Sequence, residues 1–413
     1  MTTVLQALPL VFVLIGMTLY VVLAGADFGA GLWQLFSGGG EEGEQVREHA
    51  HDSMGPVWEA NHVWLIFVIT VLWTAYPRAF SSIASTLAVP LFIALIGIIF
   101  RGAAYAFRAG ARSQRESGAI DTVFSLSSIL APFALGAAVG GIATNRVPVG
   151  NAAGALFSSW LNPTSIFIGV LSVLSGAYLA AVYLAADAAR DADPAIERAF
   201  RLRALGAGVA AGGVAVAGLF VVNADSHQLF HSLLTGRALP AVIISFIAGV
   251  ITIVLVYIRR YEPARYCAAG AVAAVVLGWV LSRWPTILPG LTIHQAAAGH
   301  DTLVWVVAAV VGGGVILFPS LGFLFRLTLA GRFASDAEPP PSKPTGLGMP
   351  DIRPRLLTRS AIACVIVGFL LLNIADADWE HAVGVVLLIT FIVLGFRVIV
   401  FPALGQGPAA PAD

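Results

Sequence analysis

Four residues of this largely apolar chain have side chains that hold or move protons, and apolar neighbours surround each of them. Asp27 sits in AGADFGAG, Glu59 and His62 in GPVWEANHVWLIF (residues 55–67), and Arg101 in IIFRGAA. Glu59 and His62 are three residues apart, a spacing that puts both on nearly one face of a helix. Burial favours the neutral form of a carboxyl group, whereas a nearby guanidinium favours the carboxylate. A group held between those influences exchanges protons readily, and ionisable residues inside membrane spans often mark proton relays. A plainer alternative stands beside this reading. Asp52 or Ser53 would cap the helix that carries Glu59, with Pro56 in its first turn. Glu59 would then be an acidic residue favoured by the helix dipole, and Arg101 would snorkel to the interface. Gly25, Gly29 and Gly31 read as close helix packing rather than as a ligand cradle.

The elements that must position these groups are membrane helices. Of the 413 residues, 58% are hydrophobic and only 11% are charged, against about a quarter charged in soluble domains. The apolar residues come in runs long enough to span a bilayer, which takes roughly 20 residues of helix. The expected spans are about 7–35, 57–76, 80–107, 121–143, 164–186, 204–222, 240–258, 266–284, 302–326, 360–375 and 382–401, eleven in all. Helix is the only choice, because the backbone must satisfy itself in lipid and the runs are too long for barrel strands. The N-terminus lacks a basic region and a small-residue cleavage site, so the first run reads as a retained span. The basic residues fix the orientation. Seventeen of the 23 Lys and Arg fall in the loops after odd-numbered spans, among them Arg108, Arg190, Arg201, Arg259 and Arg353. Only Arg78, Arg146, Arg237 and Arg283 follow even-numbered ones. The N-terminus is therefore expected outside and the C-terminus in the cytoplasm.

In that orientation Asp27, Glu59 and Arg101 meet near the cytoplasmic ends of spans 1, 2 and 3, and consecutive spans are usually neighbours. A break then divides the chain. Residues 1–330 form a nine-span body, a Pro-rich linker runs over 331–358, and 359–413 carry a two-span C-terminal extension. No short internal repeat is evident. The formal net charge of zero argues against nucleic acid as a partner. Cys267 and Cys364 lie in different apolar runs and read as small hydrophobes. Haem needs axial His, Met, Cys or Tyr ligands, and deep in the membrane the His and Met residues offer essentially His62 and Met17. No metal site is expected; Asp225, His227 and His231 have suggestive spacing but read rather as a solvated loop.

GADFGAGLW in span 1, GPVWEANHVWL in span 2 and FRGAAYAFR closing span 3 resemble, in order and spacing, subunit II of the cytochrome bd-type quinol oxidases. LNP at 161–163 and the LT…AA stretch over 291–297 agree with this, and the resemblance covers residues 1 to about 330. It implies an all-α fold of two four-helix bundles plus a peripheral helix. It also implies a hetero-oligomer with a haem-bearing subunit I, which holds haems b and d and oxidises quinol while dioxygen becomes water. The setting would be a bacterial or archaeal plasma membrane, with lipid and quinol as further partners. By the same resemblance, Glu59 is the cytoplasm-facing proton acceptor, Asp27 lies nearby and Arg101 tunes both. Trp58, Asn61 and Trp64 are the supporting motif. Whether a quinone binds this chain stays unknown. Ala24 and Gln295 stand where the family commonly has carboxylates, Ala60 replaces a glycine, and His62 adds an imidazole that would serve as a relay.

Two other readings remain at this point. A secondary transporter would place its ionisable or unwound segments near the bilayer midplane, whereas these charges gather toward one face. A purely structural membrane scaffold would use Glu59 only as a helix-start residue.

Overall fold

A computed structural model of the chain describes residues 2–54, 58–108, 114–329, 354–374, 379–380, 382–391 and 394; the side chains of residues 52–60 lie outside that description. Among the described residues, eight helices are long and apolar enough to cross a membrane. The chain divides into two compact units, Met1–Gly322 and Phe323–Asp413.

Two groups of four helices build the first unit. One comprises α1 (Thr2–Leu35), α3 (Trp58–Ala75), α5 (Ala88–Arg108) and α6 (Gln114–Ala143). The other comprises α7 (Pro163–Arg190), α8 (Pro194–Asp225), α10 (Leu239–Tyr257) and α11 (Tyr261–Arg283). In α13 (His300–Leu329), Leu303 is buried while Trp305, Val315, Ile316 and Phe318 stay exposed, as expected of a peripheral helix. The groups join where α1 and α6 pack on α7. Small residues make that junction possible: a Cβ on Gly29 would lie 2.0 Å from the Gly176 carbonyl oxygen. The glycines of span 1 thus serve close helix approach.

The expected third span is two helices. α4 (Pro77–Thr86) and α5 meet at Leu87. Pro90, in the first turn of α5, has no N–H to bond the Thr86 carbonyl, and the break falls there. Two surface helices lie outside the expected spans, α2 (Gly40–Met54) and α9 (His227–Leu234). α2 buries only Val46 and Ala50 in the core. Arg47 ties its start back to the end of α1, donating to Ser37 Oγ at 2.8 Å and the Gly38 carbonyl at 2.9 Å. Asp52 and Ser53 belong to the last turn of α2, so they do not cap α3.

At the end of the molecule away from α2, loops seal the joint between the groups. Asn162 caps α7 by accepting from the Ser165 N–H, with Pro163 at the first helical position. β1 (Thr286–Leu288) and β2 (Leu291–Thr292) form a small antiparallel hairpin that leads into α12 (Ile293–Ala296). Gln295 completes a capping box with Thr292 there. Arg146 pairs with Asp225 at 2.9 Å, and Asp225 also accepts from the Thr164 N–H.

In the second unit, α14 (Pro354–Ile374) and the helix over Ala382–Phe391 pack at two glycines. A Cβ on Gly368 would lie 3.0 Å from the Gly384 carbonyl oxygen. The Pro-rich stretch up to residue 353 and the expected last span beyond 394 lie outside the described residues.

Candidate functional site

Inside the first group of helices, Arg101 on α5 points at Asp27 on α1. Both are buried, 2% and 1% exposed. Arg101 Nη1 donates to Asp27 Oδ2 in a short ion pair. Nη2 donates to Asp27 Oδ1 at 2.7 Å and to the Asp27 carbonyl at 2.9 Å. Nε donates to Ser128 Oγ at 3.0 Å, and the Ser128 hydroxyl donates in turn to the Phe124 carbonyl at 2.7 Å. The guanidinium also lies over the rings of Phe28 and Phe124, 5.0 and 4.6 Å from their centroids. The pair is bidentate, the strong form of a charge-assisted hydrogen bond, and the cation–π contacts add to it.

Local sequence explains why the pair forms here. Gly31 leaves space for Ser128, whose Oγ would lie 2.2 Å from a Cβ at that position. Gly97 lets α5 approach Ala131 of α6, with 3.1 Å left for a Cβ. Close helices bring a guanidinium from α5, a carboxylate from α1 and a hydroxyl from α6 to one point. Arg101 does not snorkel to the interface, because the carboxylate that neutralises it is inside.

His62 sits on α3 beside this pair. Its ring lies 6.1 Å from the rings of both Tyr20 and Phe28. Asn61 is buried and donates to the Leu23 carbonyl at 3.4 Å. Trp64 packs with Tyr20, Ala24, Phe28 and Ala131. Ala24, where a family carboxylate is expected, is buried in that cluster. The side chains of Glu59 and Trp58, the other expected members of the site, lie outside the described residues. Ser128, Phe124 and Tyr20 belong to the site without having been expected. A serine in an apolar run reads only as a small residue, so no sequence signal singles out Ser128.

Among the described residues, no group of three or more His, Cys, Asp or Glu side chains converges as a metal site. Asp225 is taken by Arg146, while His227 contacts Asn223 and His231 contacts Thr235, so the three do not meet. The rings of Tyr20 and Phe28 pack beside His62.

Residues 5–328 match the family of cytochrome bd terminal oxidase subunit II. The chain belongs to that family. It is 31% identical over 117 residues to cytochrome bd ubiquinol oxidase subunit 2 of Bacillus subtilis, covering 28% of this chain and 34% of that protein. It is 27% identical over 175 residues to cytochrome bd-I ubiquinol oxidase subunit 2 of Escherichia coli K12, covering 39% of this chain and 44% of that protein. These two alignments thus span between a third and just under a half of the curated relatives' length. Among solved structures, the bd oxidase from Geobacillus thermodenitrificans superposes with a TM-score of 0.63 at 25% identity, over 79% of this chain and 98% of that one. The multi-pass helical fold of the body is therefore that of a bd oxidase chain.

Proposed function

We propose that this chain is the subunit of a plasma-membrane quinol:oxygen oxidoreductase that holds no haem of its own. In this reading it scaffolds a haem-bearing partner, subunit I, which carries haems b and d, takes electrons from quinol and reduces dioxygen to water. This chain lends the complex a proton path that opens at the cytoplasmic face. Glu59 is the entry carboxylate, and His62 is the relay one helical turn further in.

The observation that supports this reading most is the buried Asp27–Arg101 pair, two charges brought together inside a membrane bundle. Charge inside a bilayer is costly, and proteins keep it there mainly for function. With Asp27 held from both oxygens by Arg101, the pair acts as a fixed electrostatic anchor. It polarises its surroundings and orients what lies next to it, and the moving proton belongs to Glu59 and His62. The partner's haems supply the oxygen chemistry, and the residues of this chain hold and hand on protons.

The test is purification of the tagged chain from its native membrane, with a reduced-minus-oxidised optical spectrum and quinol-driven oxygen uptake on the same sample. The expected result is a co-purifying subunit with b- and d-type haem bands and oxygen uptake. A haem-free chain without a partner contradicts the proposal. Glu59→Gln then separates proton entry from scaffolding: the complex assembles and uptake falls about tenfold or more, within the usual contribution of a positioned proton carrier. Unchanged uptake in an assembled Glu59→Gln complex removes the proton role.

A further inference from the structure

At one end of the second group of helices, α7 turns into α8 and α10 turns into α11. The distribution of basic residues puts this end on the cytoplasmic side. Two of its arginines are matched by carboxylates: Arg190 pairs with Glu262 at 2.7 Å and Arg265 with Asp187 at 3.3 Å. Asp191 acts on Arg190 as well. Asp193 caps α8, accepting from the Ala195 and Ile196 N–H groups.

Arg198, Arg201, Arg259 and Arg260 are left with one carboxylate beside them, Glu197. Glu197 is buried and accepts from the Tyr261 hydroxyl. Arg259 Nη1 reaches its other oxygen only at 3.8 Å, beyond hydrogen-bond length. Arg201, one helical turn after Glu197, donates to neutral acceptors. Its Nε bonds the Val256 carbonyl at 3.2 Å and its Nη2 the Tyr257 carbonyl at 2.6 Å. Arg198 and Arg260 make no ion pair among the described residues. Topology explains why basic residues lie at this end. It does not explain why these four stay unmatched while Arg190 and Arg265 are matched.

The surface beside the four arginines is apolar. Tyr257 and Ile258, at the end of α10, are exposed, and so is Leu202, next to Arg201 on α8. The Arg201 guanidinium lies 5.6 Å from the centre of the Tyr257 ring. Deeper along α8, Val209 and Val216 follow Leu202 at seven-residue spacing and are exposed too. Seven residues are close to two helical turns, so these three share a face. Exposed Val254 and Ile247 run inward from the same end on α10, which packs on α8. A ligand for this surface brings negative charge to the guanidinium groups and hydrocarbon to the side chains below them. A protein carboxylate or a free phosphate brings only the first; a lipid of negative net charge brings both.

We propose that Arg198, Arg201, Arg259 and Arg260 hold the headgroup of an anionic phospholipid, with an acyl chain along the Leu202–Val209–Val216 face of α8. The guanidinium fork matches phosphate oxygens, and basic clusters where helices leave the bilayer attract anionic lipid. The site lies in the second group of helices, apart from the Asp27–Arg101 pair, and does not depend on the oxidase reading.

The experiment purifies the protein from its native membrane with the partners it carries and places it in nanodiscs of phosphatidylglycerol or of phosphatidylcholine, free of inorganic phosphate. High-resolution electron cryo-microscopy maps are compared for the wild type, for Arg259→Gln with Arg260→Gln, and for Arg190→Gln as a control at a matched arginine. The expected result in phosphatidylglycerol is headgroup density within about 4 Å of the arginines, the reach of an ion pair. It is weaker or absent in phosphatidylcholine, lost in the double variant and kept in Arg190→Gln. Phosphatidylcholine carries the same phosphate without net charge, so equal density in both lipids overturns the proposal. So does density that survives the double variant, density that appears only when inorganic phosphate is added, a carboxylate of another protein chain on these arginines, or no density at all. The comparison of the two lipids on the wild type decides the matter even if the double variant fails to assemble. Oxygen uptake is not read here, so a failure leaves the proposed function standing.

Discussion

The two four-helix groups solve the same packing problem with different chemistry. The group formed by α7, α8, α10 and α11 has a core of small and aliphatic side chains: Ala177, Leu179, Ala180, Ala181, Val182, Leu184 and Ala185 are all buried. Its charges stand at the helix ends. Arg190 pairs with Glu262 at 2.7 Å in water, and Arg201 donates to the Tyr257 carbonyl that ends α10. The group formed by α1, α3, α5 and α6 instead carries the Asp27–Arg101 pair inside, with both partners buried. Among the described residues that is the one ion pair with both partners buried. Stability does not explain the difference. Desolvating a carboxylate and a guanidinium offsets much of their attraction, and well-packed apolar replacements are often as stable or more so. On the proposed function, one half of the body is built for packing and the other keeps a charge pair for use.

The contrast can be broken most directly from the charged side. Arg101→Met leaves Asp27 buried without its partner and is expected to cost about 3–5 kcal/mol, enough to lose the assembled protein. Thermal unfolding and yield of the detergent-solubilised complex would check this; a variant as stable as wild type means that Asp27 has another partner. The next effect tests the seam between the groups. Gly29→Ala in an ordinary helix would gain up to about 1 kcal/mol. Here the new Cβ meets the Gly176 carbonyl at 2.0 Å, so a loss of about 1–3 kcal/mol is expected from overpacking, read from the same melting curve. Ser128→Ala takes away the acceptor for Arg101 Nε and should cost about 1–2 kcal/mol, with Ser128→Thr closer to wild type if the added methyl is accommodated. The smallest effects belong to the helix ends. Arg146→Ala breaks a half-exposed pair with Asp225 and should cost roughly 0.5–1 kcal/mol, and Arg190→Ala less than about 0.5 kcal/mol. A larger loss at Arg190 than at Ser128 would invert the contrast.

Much of this was legible in the sequence for a physical reason. Lipid forces the backbone into long apolar helices, so the spans and the two groups follow from run length and from the family motifs. The meeting of Asp27 and Arg101 followed from span order and orientation, because two charges at one depth on neighbouring helices tend to find each other. What was not legible depended on contacts rather than runs. α2 buries only Val46 and Ala50, too few apolar positions to distinguish it from a loop. The third expected span hid a break, because Thr86, Leu87 and Pro90 leave the hydropathy unchanged while Pro90 removes a hydrogen bond. Snorkelling was a fair alternative for Arg101 until the depth of Asp27 was known. Ser128 and Tyr20 carried no signal, since a hydroxyl in an apolar run reveals its purpose only when its neighbours are in place.

The central claim is that the Asp27–Arg101 pair is kept for function and not for stability. Asp27→Leu with Arg101→Met replaces both charges by apolar groups in one step. The account predicts a complex that assembles with its haems, melts within about 1 kcal/mol of wild type and loses quinol-driven oxygen uptake by about tenfold or more. Full uptake in that double variant, or a failure to assemble, would contradict it.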